Sequence, residues 1–302
     1  MDLGFFDQRL TLNVDAYYRK TTDLLCSPTV AAGQNYNNKV MMNVGSLENR
    51  GFEIALSGKP IQSKNWFMEL GVNAAYNKNK VTEINASGRD MIEAGMAVGM
   101  EKDITYHKVG YPANSFWVYQ QVYDEAGRPI QGVYVDRNGD GAIDDNDRYF
   151  YKTIHAPWTG GFYFKLSYKN WDLGTNFRAS LGNYVYNNIV QGKMNTDVLY
   201  NASKNFYENS TPGITALRWT SYEYPLTDYL VQNGSFLKCD NITLGYNFKT
   251  WDDFLSGRIY ASCTNVFTIT KYDGLDPEQT SGMESSLYPR GRTFLVGLNL
   301  NF

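Results

Sequence analysis

Segments of about ten residues with apolar side chains at every second position recur along this chain, and this period of two constrains the fold more than any other feature. It belongs to strands with two unlike faces. Over residues 9–18, Leu10, Leu12, Val14, Ala16 and Tyr18 share one face, while Arg9, Thr11, Asn13, Asp15 and Tyr17 share the other. Phe52, Ile54 and Leu56 repeat the pattern, as do Trp66, Met68, Leu70, Val72, Ala74 and Tyr76. Further on, Phe162, Phe164, Leu166 and Tyr168 oppose Lys165, Ser167 and Lys169, and Trp171, Leu173, Thr175, Phe177, Ala179 and Leu181 oppose Asp172, Asn176 and Arg178. Strands are also expected over 235–248, 258–268 and 293–302; in the last, Phe294, Val296, Leu298, Leu300 and Phe302 alternate with Leu295, Gly297, Asn299 and Asn301. Eight long strands result.

The links between them alternate in length. Those at 60–65, 169–171 and 249–256 are short, and those at 21–48, 78–159, 182–234 and 270–292 are long. An up-and-down antiparallel barrel puts alternate links on opposite rims, and outer-membrane barrels combine short periplasmic turns with long extracellular loops. The expected fold is therefore all-β: an antiparallel up-and-down transmembrane β-barrel segment, starting and ending on the periplasmic side. The strand-like piece SFWVYQQVY is placed in an extracellular excursion spanning 78–159; an added pair of crossing strands is the alternative. On this reading Leu10, Leu12, Val14, Phe162, Phe164, Leu166, Leu173, Phe177, Phe294, Val296, Leu298, Leu300 and Phe302 face lipid. No apolar stretch is long enough for a spanning helix.

A soluble sandwich or propeller also produces alternation. Two features favour the membrane. Rings sit at strand ends (Tyr17, Tyr18, Trp66, Tyr76, Tyr168, Trp171 and Phe302), where barrels carry aromatic girdles. The strands also exceed the five or six residues usual in soluble sheets.

The densest local chemistry is DRNGDGAIDDND at 136–147. With Asp136 as position 1, oxygen ligands fall at Asp136, Asn138, Asp140, the Ala142 carbonyl, Asp144 and Asp147, with Gly141 at the sharp turn and Ile143 free to pack inward. Such a set suits a structural Ca2+. Asp147 stands where an EF-hand carries Glu, and no flanking helix is evident; a solvated Asp/Asn/Gly turn cluster is the alternative.

Other chemistries lack their markers. The chain has 28 basic and 31 acidic residues with no basic run, which argues against a nucleic-acid partner. GxSxG, HExxH, Walker and GxGxxG motifs are missing, and His107 and His155 stand alone in sequence, so no enzyme is expected. Cys26, Cys239 and Cys263 follow no metal spacing. Strand parity puts Cys239 on a polar face and Cys263 on an apolar one, so they should not be bridged.

Several strings resemble the SusC/RagA family of TonB-dependent transporters: SLENRGFEIALSGKPI at 46–61, DRNGDGAIDDNDR at 136–148, GSFLKCDNITLGYNF at 234–248, NVFTITKYDGLDPE at 265–278 and YPRGRTFLVGLNLNF at 288–302. The resemblance implies the C-terminal part of a barrel of about 22 strands, its plug and earlier strands preceding Met1. It further implies the outer membrane of a Gram-negative bacterium, import of oligosaccharides or peptides, a SusD-like lipoprotein over the mouth, and power from TonB. Phe302 resembles the terminal aromatic read during barrel assembly. Tyr111, Trp117, Trp158 and Trp219 are ring-bearing loop residues able to stack on such substrates. A self-standing eight-stranded barrel with a structural or adhesive role, and a soluble carbohydrate-binding β-protein, are the competing readings.

Overall fold

The computed structural model describes residues 1–302 except 29, 32, 34, 38, 85–89, 99–101, 195, 197–198, 202, 204, 212, 218, 221–225, 250–254 and 286–287. Nine antiparallel strands form one wall, each paired with its neighbours in chain order: β1 (Asp2–Phe5), β2 (Leu10–Cys26), β3 (Met42–Gln62), β4 (Trp66–Ile84), β5 (Trp158–Tyr168), β6 (Trp171–Leu181), β7 (Phe236–Lys249), β8 (Ser256–Thr270) and β9 (Thr293–Asn301). The eight expected strands are all present. The ninth, β1, is too short for its alternation to register, and it places the Met1 ammonium on the Val14 carbonyl at 2.8 Å. Met1 thus lies beside Val14, in the first third of β2, not at the short-turn rim.

Cross-strand register shows why the pattern works. Directly opposed residues share a face, and one row reads Leu12, Leu56, Val72, Phe162, Phe177, Cys239, Phe267. A second reads Leu10, Gly58, Leu70, Phe164, Thr175, Ile242, Cys263, Phe294, and a third Met68, Leu166, Leu173, Leu244, Ala261, Val296. Val14, Leu298 and Leu300 lie on the same face. Phe302 follows the end of β9 and is exposed.

Rings bound this apolar band at both ends. On the short-turn side Trp66 meets Tyr168 at 4.1 Å and Trp171 meets Tyr246 at 4.8 Å between centroids. On the other side Phe52, Tyr76 and Trp158 form a cluster with spacings of 4.9 to 5.7 Å. From Trp66 to Tyr76 is ten residue steps, which at ~3.3 Å each and a tilt of ~40° gives a height of about 25 Å, the hydrophobic thickness of an outer-membrane barrel.

Among the described residues no second layer covers the apolar face. Both buried clusters lie in the loop assembly and at the loop-side ends of the strands; they centre on Ile104, Phe116, Val118, Tyr186 and Leu230, and on Val44, Val81 and Ile84. A sandwich would have buried the band, so the soluble reading fails. The eight-stranded closed barrel fails too, because β1 and β9 are the two edges of the sheet and do not pair.

One register expectation was inverted. A β-bulge between Cys239 and Asn241 adds a residue to β7, and every side chain before it changes face. Cys239 therefore joins the apolar face, fully buried between the opposed Phe177 and Phe267. All three cysteines are free.

The opposite face is polar and internally bonded. Arg258 pairs with Asp172, and Tyr163 donates to Glu69 at 2.8 Å while its ring lies over Gly71, where any Cβ would collide.

Candidate functional site on the loop face

The long links all rise from one rim and pack together. Segment 84–158 forms a small sheet of Met91–Glu93, Thr105–Lys108, Ser115–Val118 and Tyr149–Thr153. The strand-like piece at 115–123 thus lies outside the wall, as its ragged alternation suggests. Segment 182–235 adds Tyr184–Asn187, which pairs with Val231–Asn233 and with Met283–Glu284. Half-buried polar groups tie the segments together: Asp228 accepts from the Tyr149 hydroxyl at 2.7 Å and from the Gln121 amide at 3.0 Å. Burial and that bond push the Tyr149 hydroxyl far above its ordinary pKa.

The Asp-rich loop closes on itself. Asp136 accepts from the amides of Gly139 (2.7 Å) and Gly141 (2.8 Å), both glycines holding left-handed φ of +75° and +85°. Asp147 is wholly buried and accepts from the amides of Arg137 (2.8 Å), Asn138 (3.4 Å) and Asp144 (2.9 Å). The Asp144 amide, outweighing burial with help from the other two, holds the Asp147 carboxyl below the usual carboxylate range. Asp144 caps the short helix Asp145–Asp147, and Asp140 accepts from Ala142 at 2.8 Å and donates its amide to Asn138 at 2.9 Å. Ile143 is 47% exposed, so it does not pack inward as expected.

These contacts bear on the metal expectation in two ways. The chain brings the two ends of the loop together and its donor set is all oxygen, the chemistry a hard cation needs. Among the described residues, however, no three His, Cys, Asp or Glu side chains gather closely enough to hold an ion. The loop's fold rests on its own amides. Below it the buried Arg148 lies 3.7 Å from the Trp117 ring, donates to the carbonyls of Trp117 and Asp103, and reaches Asp145 at 3.5 Å.

The four rings expected to contact substrate do not converge. Tyr111 stacks on Phe150 at 4.7 Å beside an open cleft. Trp117 lies beneath Arg148. Trp158 stands in the ring row of the wall, against Phe52 and Tyr76. Trp219 is buried, and its indole donates to the Pro129 carbonyl at 3.0 Å. His107 and His155, distant in sequence, both bond Asn114.

Sequence reading missed a charged network on the polar face of the wall. Arg178 bridges Asp240 (2.6 Å) and Glu278 (2.7 Å); Lys238 and Arg290 also reach Glu278, at 3.1 and 2.7 Å, and Arg290 reaches Asp276 at 3.0 Å. Burial pushes the Glu278 carboxyl up, but the bonds from Arg178 and Lys238 outweigh it and hold the pKa low. Glu284, fully buried where Glu278 is half-buried, accepts from the Tyr272 hydroxyl and the amides of Leu275 and Asp276. The last loop is thereby locked onto the inner surface of β6 and β7.

No family model matches the chain. Individual relatives do. It is 44% identical over its whole length to the TonB-dependent receptor SusC of Bacteroides thetaiotaomicron, covering 31% of that protein. The solved RagAB peptide transporter superposes on all of it with a TM-score of 0.79 at 25% identity, over 34% of the transporter chain. In sequence and fold the chain is of the SusC/RagA type. TonB-dependent receptor P3 of Formosa agariphila, 28% identical over the full chain and covered to 33%, agrees. The chain spans about a third of the length of these relatives. They are named as receptors and transporters, not as enzymes, in keeping with the missing catalytic motifs. Two strings that carry the SusC/RagA resemblance now have a physical reading: Glu278 of the first and Arg290 of the second are partners in one ion-pair network.

Proposed function

We propose that this chain forms part of the wall and mouth of an outer-membrane active transporter that imports bulky nutrients, oligosaccharides or peptides, in a Gram-negative bacterium. The observation that carries the reading is the uncovered apolar band, about 25 Å tall and edged by rings, on strands whose long links all rise from one rim. The polar face lines a wet interior, and the ion pairs around Glu278 hold the last loop over it. In this reading a SusD-like lipoprotein closes over the loop assembly, and TonB drives release of a plug. The Asp136–Asp147 loop binds Ca2+ as a stiffener of the lipoprotein-facing surface.

The test is deletion of the gene in its host. Growth on one class of bulky oligosaccharide or peptide should be lost, while growth on the corresponding monosaccharide or free amino acids persists. Restored growth from the intact gene should vanish with a proton uncoupler in an uptake assay. Unchanged uptake of every bulky substrate after deletion would overturn the reading.

A further inference from the structure

The ladder of the wall continues above the upper rings, and there the outward face turns basic. On the face that carries Phe52 and Tyr76, Arg50 stands opposite Lys78, and Lys80 stands opposite Glu48 in the next row. Arg50, Lys78 and Lys80 are exposed. With Lys152 they line a cleft of about 480 Å³ with Tyr76 at its base and Phe150 on its wall. No carboxylate lines this cleft among the described residues, and none of its four cations holds an ion pair there. Glu48, the nearest acid in register, is engaged by the Tyr18 hydroxyl.

Height fixes what such a cleft meets. Lys78 and Lys80 lie two and four residues beyond Tyr76, so at ~3.3 Å per residue and a tilt of ~40° they stand about 5 and 10 Å above the ring row, at the level of lipid headgroups. The long-link rim is the extracellular one in barrels of this kind. Arg50, Lys78 and Lys80 on the outward face of the wall, joined by Lys152 on the adjoining loop strand with its ammonium 5.3 Å from the Tyr151 and Tyr184 rings, complement an anionic phosphate whose acyl chains run down the apolar band. Arg50 supplies a planar fork suited to two phosphate oxygens, and the lysines supply point charges.

We propose that Arg50, Lys78, Lys80 and Lys152 form a binding site for the phosphorylated headgroup of an outer-leaflet lipid. The inference rests on the outward face meeting lipid, as in the proposed function. The full polypeptide encoded by the gene, purified in neutral detergent, is first reconstituted into phosphatidylcholine vesicles and then titrated with lipid A by native mass spectrometry. Wild type should insert and bind. The triple variant Arg50→Gln, Lys78→Gln, Lys80→Gln should insert equally and bind about 100-fold more weakly, whereas Lys78→Arg with Lys80→Arg should bind as wild type does. Lys165→Gln, on the polar face, should change nothing.

Equal binding by the triple variant, or equal binding of lipid A stripped of phosphate, would overturn the site while leaving the lipid-facing wall intact. Inorganic phosphate that displaces the lipid at equal concentration would show a soluble-anion site and refute the lipid assignment. Failure of wild type itself to insert would overturn the wall reading and this inference together.

Discussion

Replacing Val72 by arginine puts a charge where the wall is most apolar. Val72 lies six residues from Trp66 and four from Tyr76, between Leu56 and Phe162 in register. At about 2.5 Å of height per residue along a tilted strand, it stands ~15 Å from one ring row and ~10 Å from the other, close to the midplane. An arginine there costs ~2–4 kcal/mol in a lipid-facing barrel wall, falling to ~0–1 kcal/mol near the interface. Val72 is 44% exposed, so in a protein whose apolar face met water the same change would fall within about 0.5 kcal/mol of neutral. Asn73→Arg, one residue on and pointing to the polar face, is the internal control and should also be near neutral. Urea unfolding of the full polypeptide folded into lipid vesicles, followed by tryptophan fluorescence, measures all three. A near-neutral Val72→Arg, or an Asn73→Arg that costs as much, would refute the assignment of faces.

Two further outcomes follow from the loops. Calorimetry at millimolar calcium should show binding that Asp140→Ala removes, since Asp140 is an exposed would-be ligand whose loss leaves the amide bonds to Asp136 and Asp147 in place; absence of any heat would reduce the loop to a self-bonded turn. Burial, aided by the neighbouring His155, lowers the pKa of His107. The unfolded chain then takes up a proton that the folded loop resists, so stability is complete above the ordinary histidine value of about 6.5 and declines as pH falls below it. Amide exchange around 105–118 should accelerate between pH 7 and 5, after correction for intrinsic rates, and His107→Asn should flatten the change. Exchange that is insensitive to pH in both proteins would contradict this.

How much of the fold could be read in advance depended on where each residue meets its solvent. Between the ring rows, alternation is enforced, and Leu10 to Ala16, Trp66 to Tyr76 and Thr293 to Phe302 announced themselves. Above the rings both faces of the wall are wet, so the ladder runs on through Tyr18, Lys20, Arg50 and Lys78 with no apolar period to mark it. That is why β2, β3 and β4 reach 17, 21 and 19 residues when about ten were legible. The bulge beside Cys239 was invisible because Lys238 and Cys239 suit either parity. In the loops, the strands are two to six residues long, below the length at which a period can be recognised. The clustering of Glu278 with Arg290 and Arg178 is a tertiary event that no local pattern announces.

The bare margins of the wall have a consequence for where this sheet can live. Along β9, and along β2 beyond Val14, the outer row of amides and carbonyls has no ladder partner among the described residues. Hydrocarbon offers such groups nothing to bond, and each left bare costs several kcal/mol. The sheet is therefore a panel with two open seams, and a bilayer will accept it only once another strand has been stitched to each.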